Sequence, residues 1–280
     1  MHTRVPRPLY AAALACSLLS WAAPAHAQFQ PRGSSGGPAP GEDYHVEASV
    51  GYWFPGAEIQ ISSAGSEVLS GIVGTTIDAK TDLGLTDQNL PEIHLEVRPA
   101  RKHKLRFQYI PITYEQTSTL PRNLIFNGQK YPAGTPTAST IDWKAYRFGY
   151  EYDFIATDRG FGGFILDFKY TDVAVNLAAP GLTEFVRARA PIPALGGVGR
   201  VYVLPGVSIT GEVTAFRLPE SAIKDSGGHY VDIDIYGMVN FTKNVGVQAG
   251  FRSFDLGYLH KTDTGSFVLK GLFLGVVARY

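Results

Sequence analysis

The 280-residue chain carries 25 Lys plus Arg against 25 Asp plus Glu, a formal net charge of zero. That balance gives no electrostatic footing for nucleic acid. The single cysteine excludes disulfides, and the length allows one large β domain or two ordinary ones.

Residues 1–27 read as a secretory signal peptide. Arg4 and Arg7 precede the apolar "LYAAALACSLLSWAA", and "AHA" before Gln28 is a small-x-small cleavage site. Cys16 raises lipidation as a second option, but "ALAC" lacks the Leu usual three places earlier. Residues 28–43 are a Gly/Pro/Ser linker with nothing to bury, expected to be flexible. Residues 44–280 form the folded part. No apolar run there approaches the ~18–20 residues of a membrane helix.

From Tyr44 onward the dominant period is two, which argues strands. The first segment sets Tyr44, Val46, Ala48, Val50, Tyr52 and Phe54 against His45, Glu47, Ser49 and Gly51. The pattern returns in "IHLEV", "HKLRFQY", "AYRFGYEYDF", "FILDFKY", "VDIDIYGMVNF" and "VGVQAGFR". It ends in "KGLFLGVVARY", where Leu272, Leu274, Val276, Ala278 and Tyr280 share one face. Short connections at Pro99–Lys102, Ala156–Gly160, Leu204–Gly206 and Thr242–Asn244 interleave with wider ones. The wider loops are expected near Ser62–Leu90, Gln116–Ser139, Ala178–Thr183, Leu218–Gly228 and Lys261–Gly265. This alternation predicts ten antiparallel strands with both chain ends on the tight-turn side, with eight or twelve as alternatives. "FNGQ" (Phe126–Gln129) reads as a type I′ hairpin, and Gly74–Leu85 as a short projecting element. Pro111, Pro191 and Pro193 weaken the ladder. An apparent change of face across "PIPALGG" suggests a bulge.

A soluble sandwich also alternates, but its polar face meets water. Here the polar face mixes charges with Trp53, Tyr236 and Met238, as in a confined space. The apolar faces gather rings near strand ends: Tyr150, Tyr152 and Phe154 before one tight turn, Phe161 and Phe164 after it, and Phe241 before another. That suits an interfacial girdle. The prediction is a closed, all-β antiparallel transmembrane barrel with short periplasmic turns and longer extracellular loops, in the cell outer membrane.

The final strand, through Leu274, Val276, Ala278 and Tyr280, resembles the β-signal that Gram-negative outer-membrane proteins present to the barrel-assembly machinery. More broadly, Gly74–Leu85 and Phe126–Phe154 resemble a family of small, largely uncharacterised outer-membrane β-barrel proteins of Gram-negative bacteria. The resemblance covers most of the mature chain and implies fold and location, not an activity.

With the polar face turned inward, acids and bases nearly balance. The expected lumen network comprises Glu47, His94, Glu96, Arg106, Arg147, Glu151, Asp167, Lys169, Arg187, Arg189, Glu212, Asp232, Asp234 and Arg252. A selective pore would carry an excess of one sign, whereas balance reads as a filled lumen of ion pairs. A narrow diffusion channel is the alternative. A third reading is an outer-membrane lipid or peptide hydrolase. Neither G-x-S-x-G nor H-E-x-x-H occurs, and the best constellation is His94 with Glu47, Glu96 and Ser49. His229 with Asp232, and a calcium cluster of Asp82, Asp87 and Glu92, are weaker. Lys261 and Lys270 at the outer rim could meet lipopolysaccharide phosphates. The expected partners are outer-membrane lipids, lipopolysaccharide and the assembly machinery. No cofactor is expected, and the protein is expected to be monomeric.

Overall fold

The computed structural model describes residues 37–63, 74–223, 226–260 and 263–280. The leader, with Cys16, and Lys261 lie outside them. The strands are β1 (Val46–Ser62), β2 (Ile77–Asp78), β3 (Leu90–Ala100), β4 (His103–Thr119), β5 (Leu124–Phe126), β6 (Gln129–Tyr131), β7 (Pro136–Thr157), β8 (Gly160–Ala179), β9 (Leu182–Leu204), β10 (Val207–Ile223), β11 (Ser226–Asn240), β12 (Val245–His260) and β13 (Asp263–Arg279). Ten of these close into an antiparallel barrel, with each strand hydrogen-bonded to its neighbours in chain order. Closure is made by β13 on β1, in register from Glu47↔Arg279 to Ser62↔Thr264. The soluble sandwich is thereby excluded, because a sandwich keeps edges and this sheet has none.

The period-two pattern resolves into an inverted protein. Val50, Phe54, Leu105, Phe148, Phe168, Ile235, Leu274 and Val276 point outward and are exposed, while Lys104, Glu151, Asp167, Asp232 and Arg252 are buried inside. Water would not tolerate that exterior as a continuous belt, but hydrocarbon would. Outward rings mark both margins of the belt. Tyr152 and Phe164 (centroids 5.6 Å apart), Phe154 and Phe241 lie at the tight-turn rim. Tyr109, Tyr146 and Tyr170 form a cross-strand row toward the other rim, at 4.8 and 6.5 Å. Phe161 departs from the expected girdle. It is buried inside, with Lys104 Nζ 3.2 Å from its ring centroid.

Four connections at one rim are tight, as expected. At the opposite rim only the segments between β1 and β3 and between β4 and β7 are long. The connections expected as wider loops after β8, β10 and β12 are instead short, because the strands continue to Ala179, Ile223 and His260. β9 is 23 residues long, about twice the ~9–11 needed to cross a bilayer, so the barrel wall stands well beyond the apolar belt. "FNGQ" forms the β5–β6 hairpin, with Asn127 and Gly128 at φ 50° and 77°, the left-handed pair a type I′ turn requires. The Gly74–Leu85 element does not project. β2 pairs with β1, and Ile77, Ala79, Leu83 and Leu85 are buried.

Two further expectations need correction. No bulge occurs at "PIPALGG", since β8 and β9 keep one register from Gly160↔Val201 to Ala179↔Leu182. The linker is anchored from Ala39 onward. Ala39 N–H donates to Asp158 O (2.8 Å), Asn240 Nδ2 donates to Pro40 O (2.8 Å), and Glu42 is buried.

Candidate functional site: the filled lumen

Three stacked layers occupy the barrel interior. At the tight-turn rim, the segment before β1 folds across the mouth. The Tyr44 hydroxyl donates to Glu96, and its ring lies between Arg98 (5.3 Å) and Arg279 (5.7 Å). Glu42 lies 3.8 Å from Arg98, whose guanidinium also donates to the Glu42 carbonyl. Burial pushes the Glu42 carboxyl above its ordinary value, against the opposing pull of Arg200 and Arg98.

The middle layer is a charge network built from inward positions on alternate residues of nine strands. Lys104 Nζ lies 2.6 Å from Glu151 and 3.0 Å from Asp153. Arg106 reaches Glu151 (3.2 Å) and Glu212 (2.6 Å). Arg147 donates to the other oxygen of Glu212 and lies 2.6 Å from Asp167. Gly149 makes room for that acid, since a Cβ there would sit 2.4 Å from Asp167 Oδ1. Lys169 Nζ donates to Asp232 (3.0 Å), Tyr230 (2.6 Å) and Thr214 (2.8 Å). Arg252 grips Asp232 through Nε (3.0 Å) and Nη2 (2.9 Å) and lies 3.5 Å from Glu92 and 3.7 Å from Asp234. Glu47 accepts from Arg279. Glu96 lies 3.8 Å from Arg106, and His94 lies 3.3 Å from Glu92 and 3.0 Å from Gln108. A cavity of about 60 Å³ remains among Glu47, His94, Arg147, Glu212 and Arg252, room for a few waters.

The third layer, toward the loop rim, is apolar. Trp53, Ile110, Ile112, Trp143, Phe254, Phe267 and Leu269 face inward from the wall and are buried. The long connections fill the space between them with Leu83, Leu85, Leu120, Leu124, Phe126 and Tyr131, all buried. Arg122 pins this cap. Its Nε and Nη2 each lie 2.7 Å from Asp82, and this hydrogen bonding holds the Asp82 carboxyl below its usual value.

The structure thus brings together all of the predicted network except Arg187 and Arg189. Those two point outward and are exposed, both paired with Asp172 on the outer wall. The inferred bulge and this misplacement have one cause. Odd-numbered β9 residues face outward throughout, including arginines that stand beyond the apolar belt. Lys104, Asp153 and Arg279, inward by parity, are buried members too, and Arg200 is a buried member that the sequence reading missed. For Arg200 the signal was its position one residue from Val201 on an unbroken alternation. His229 and Asp232 lie on opposite faces, and His229 instead meets Asp255 at 3.1 Å on the outer wall. The imagined calcium set is split: Asp82 binds Arg122, Asp87 lies 2.8 Å from Lys80, and Glu92 belongs to the lumen. Near His94, Ser49 is its cross-strand partner, but its hydroxyl accepts from Gln248 (3.4 Å). Leu274, Val276, Ala278 and Tyr280 face outward, while Arg279 and Gly275 face inward.

Among solved structures, the chain is similar to the outer membrane protease OmpT from Escherichia coli. The TM-score is 0.55 at 6% identity, covering 84% of this chain and 97% of that one. The fold is that of an outer-membrane β-barrel. Weaker similarities are to the Pseudomonas putida toluene transporter TodX (TM-score 0.39, 7% identity, 88% and 93% covered) and the Ralstonia pickettii toluene transporter TbuX (0.28, 10%, 88% and 92%). No family model matches the chain, and no curated protein matches it in sequence. At these identities the likeness is one of fold alone.

Proposed function

We propose that this protein is a monomeric, integral outer-membrane barrel with a closed lumen, acting in a structural or surface-interaction role without catalysis. The observation that carries this reading is the continuity of the lumen fill: a strap at one mouth, a paired charge layer, and an apolar cap. A path for solutes would need all three to move. In this reading the tight-turn rim is periplasmic, Tyr280 anchors at that interface and is read during insertion, and the capped rim faces outward. Planar-bilayer recording tests it. No conductance steps are expected from the purified protein, and steady, reproducible steps would establish the narrow-channel alternative instead.

One observation favours a second reading, hydrolysis of an outer-leaflet lipid. His229, paired with Asp255 on the outer wall, shares a cross-strand row with Gly257 and Ser266, and these three line one hollow of about 350 Å³. Release of fatty acid from outer-membrane lipid by the purified protein, abolished by Ser266→Ala and His229→Ala, would establish that reading.

A further inference from the structure

The barrel wall is not uniformly paired. β9 and β10 form a ladder only as far as Leu195↔Ala215. Above that point β9 continues to Leu182 bonded to β8, and β10 continues past Leu218 bonded to β11. Among the described residues nothing pairs across the interval. Leu195 is level with Leu166, four residue pairs below Tyr170↔Pro191 in the tyrosine row. The seam therefore opens inside the apolar belt and runs roughly 20 Å along the strand from Leu195 to Arg189.

Prolines mark both lips. Tyr202 N–H donates to Arg159 O on the β8 side, and the β8–β9 register is unbroken. Even-numbered β9 residues thus turn their backbone groups to β8, and odd-numbered ones turn to β10. Pro191 and Pro193 are odd. On β10 the facing residues follow Ala215 by twos, which makes Arg217 and Pro219 the next. All three prolines stand where an N–H would point into the gap. In hydrocarbon an unpaired donor is strongly disfavoured, and proline removes it. The seam is accordingly a built feature of the wall. Behind it Ile192 and Ala194 are buried and Phe216 packs on the apolar layer, so the gap has an apolar floor.

Its upper end is basic. Lys144, Arg187 and Arg189 project outward beyond the tyrosine row on one side, and on the other lip Arg217 projects outward two residues above Ala215. The acids among them are Asp142 and Asp172, so cations outnumber acids. Arg187 engages Asp172 through both Nε (2.6 Å) and Nη2, whereas Arg189 gives it Nε alone (3.2 Å). An apolar slot at acyl depth beneath several cations at headgroup depth matches a lipid carrying more than one phosphate.

We propose that the β9–β10 seam is a binding cleft for lipopolysaccharide. An acyl chain lies between the unpaired strands, and the lipid A phosphates meet Arg189 and Arg217. The proposal does not depend on whether the lumen conducts. The test is a titration of the detergent-purified mature protein with rough lipopolysaccharide, comparing wild type with Arg189→Ala/Arg217→Ala. Heat-shifted mobility verifies that each variant is folded. Loss of two headgroup cations is expected to weaken binding roughly thirtyfold. Wild type should lose affinity similarly for dephosphorylated lipopolysaccharide. Unchanged affinity in the variant would overturn the proposal, as would equal competition by phosphatidylglycerol vesicles or by inorganic phosphate. The cleft is tested separately with a photo-crosslinker at Phe216, on the seam floor, and at Ile165, buried below it. Lipid capture at Phe216 but not at Ile165 is expected, and absence of capture at Phe216 overturns the acyl placement.

Discussion

Arg252 and Lys169 both hold Asp232, yet their removal should differ in consequence. Arg252 faces three carboxylates, at 2.9 Å for Asp232, 3.5 Å for Glu92 and 3.7 Å for Asp234, and lies 5.2 Å from the Trp53 ring centroid. Arg252→Met keeps most of the volume but leaves those acids facing one another. Breaking a buried ion pair by removing one partner costs about 3–5 kcal/mol. Lys169→Met deletes hydrogen bonds to Asp232, Tyr230 and Thr214 but leaves Asp232 in the two-pronged grip of Arg252. Its cost should be nearer that of one charged hydrogen bond, about 1.5–3 kcal/mol. Urea titration in detergent, read by heat-shifted mobility and by tryptophan fluorescence, measures both. An Arg252→Met variant within about 1 kcal/mol of wild type, or less damaged than Lys169→Met, would refute the assignment of Arg252 as the network's hub.

Other outcomes follow from the remaining layers. The Glu42 carboxyl is raised by burial, so the folded mouth binds more protons than the undocked strap. Docking should therefore be firmest at acid pH and weaken as pH rises from the ordinary carboxylate value through the raised one. Glu42→Gln should remove that dependence, measured by protease cleavage near Pro38 across the pH range. Deleting residues 38–44 should leave bilayers silent, because two further layers close the lumen, and conductance from that variant alone would show the strap to be the sole barrier. Phe126→Ala, a fully buried cap residue, should destabilise the outer layer by about 3–5 kcal/mol, visible as faster proteolysis of the segment between β4 and β7. Removing Tyr280 should reduce the folded barrel recovered in outer-membrane fractions without changing its precursor level.

Strand identity, closure and most of the lumen were legible because a period of two sorts residues onto two faces and each face has its own solvent. Glu47, Arg106, Glu151 and Asp232 could be assigned inward on parity alone. The errors fell where the rule "apolar outward" ceases to hold. On β9 the rule fails beyond the apolar belt, where outward arginines are solvated: it turns Arg187 and Arg189 inward and requires a bulge to restore Val201. Pairing across the lumen was not legible. Nothing local relates Arg106 to Glu212, which lie 106 residues apart and meet only because β4 and β10 face one another across the closed ring. The apolar cap is not legible in the sequence for a related reason. Leu83, Leu124 and Phe126 sit in turn-rich segments whose short apolar runs carry no period, and only their burial shows that they fold inward.

The division of the lumen bears on where any activity resides. Arg106–Glu212 and Lys169–Asp232 join non-neighbouring strands, so they tie opposite parts of the wall as well as filling space. Dilating the barrel would separate several such pairs at once, each leaving a buried charge that disfavours the open form. The same contacts hold the β8–β9 and β10–β11 hairpins at the level of Asp232 and Glu212, just below the point where β9 and β10 part. Cross-lumen pairing thus makes the wall rigid beneath the seam, whose two lips share no ladder. A partner reaching this barrel from the lipid side would find backbone free of a shared ladder between Leu195 and Arg217, whereas the lumen offers only side chains already paired across the ring.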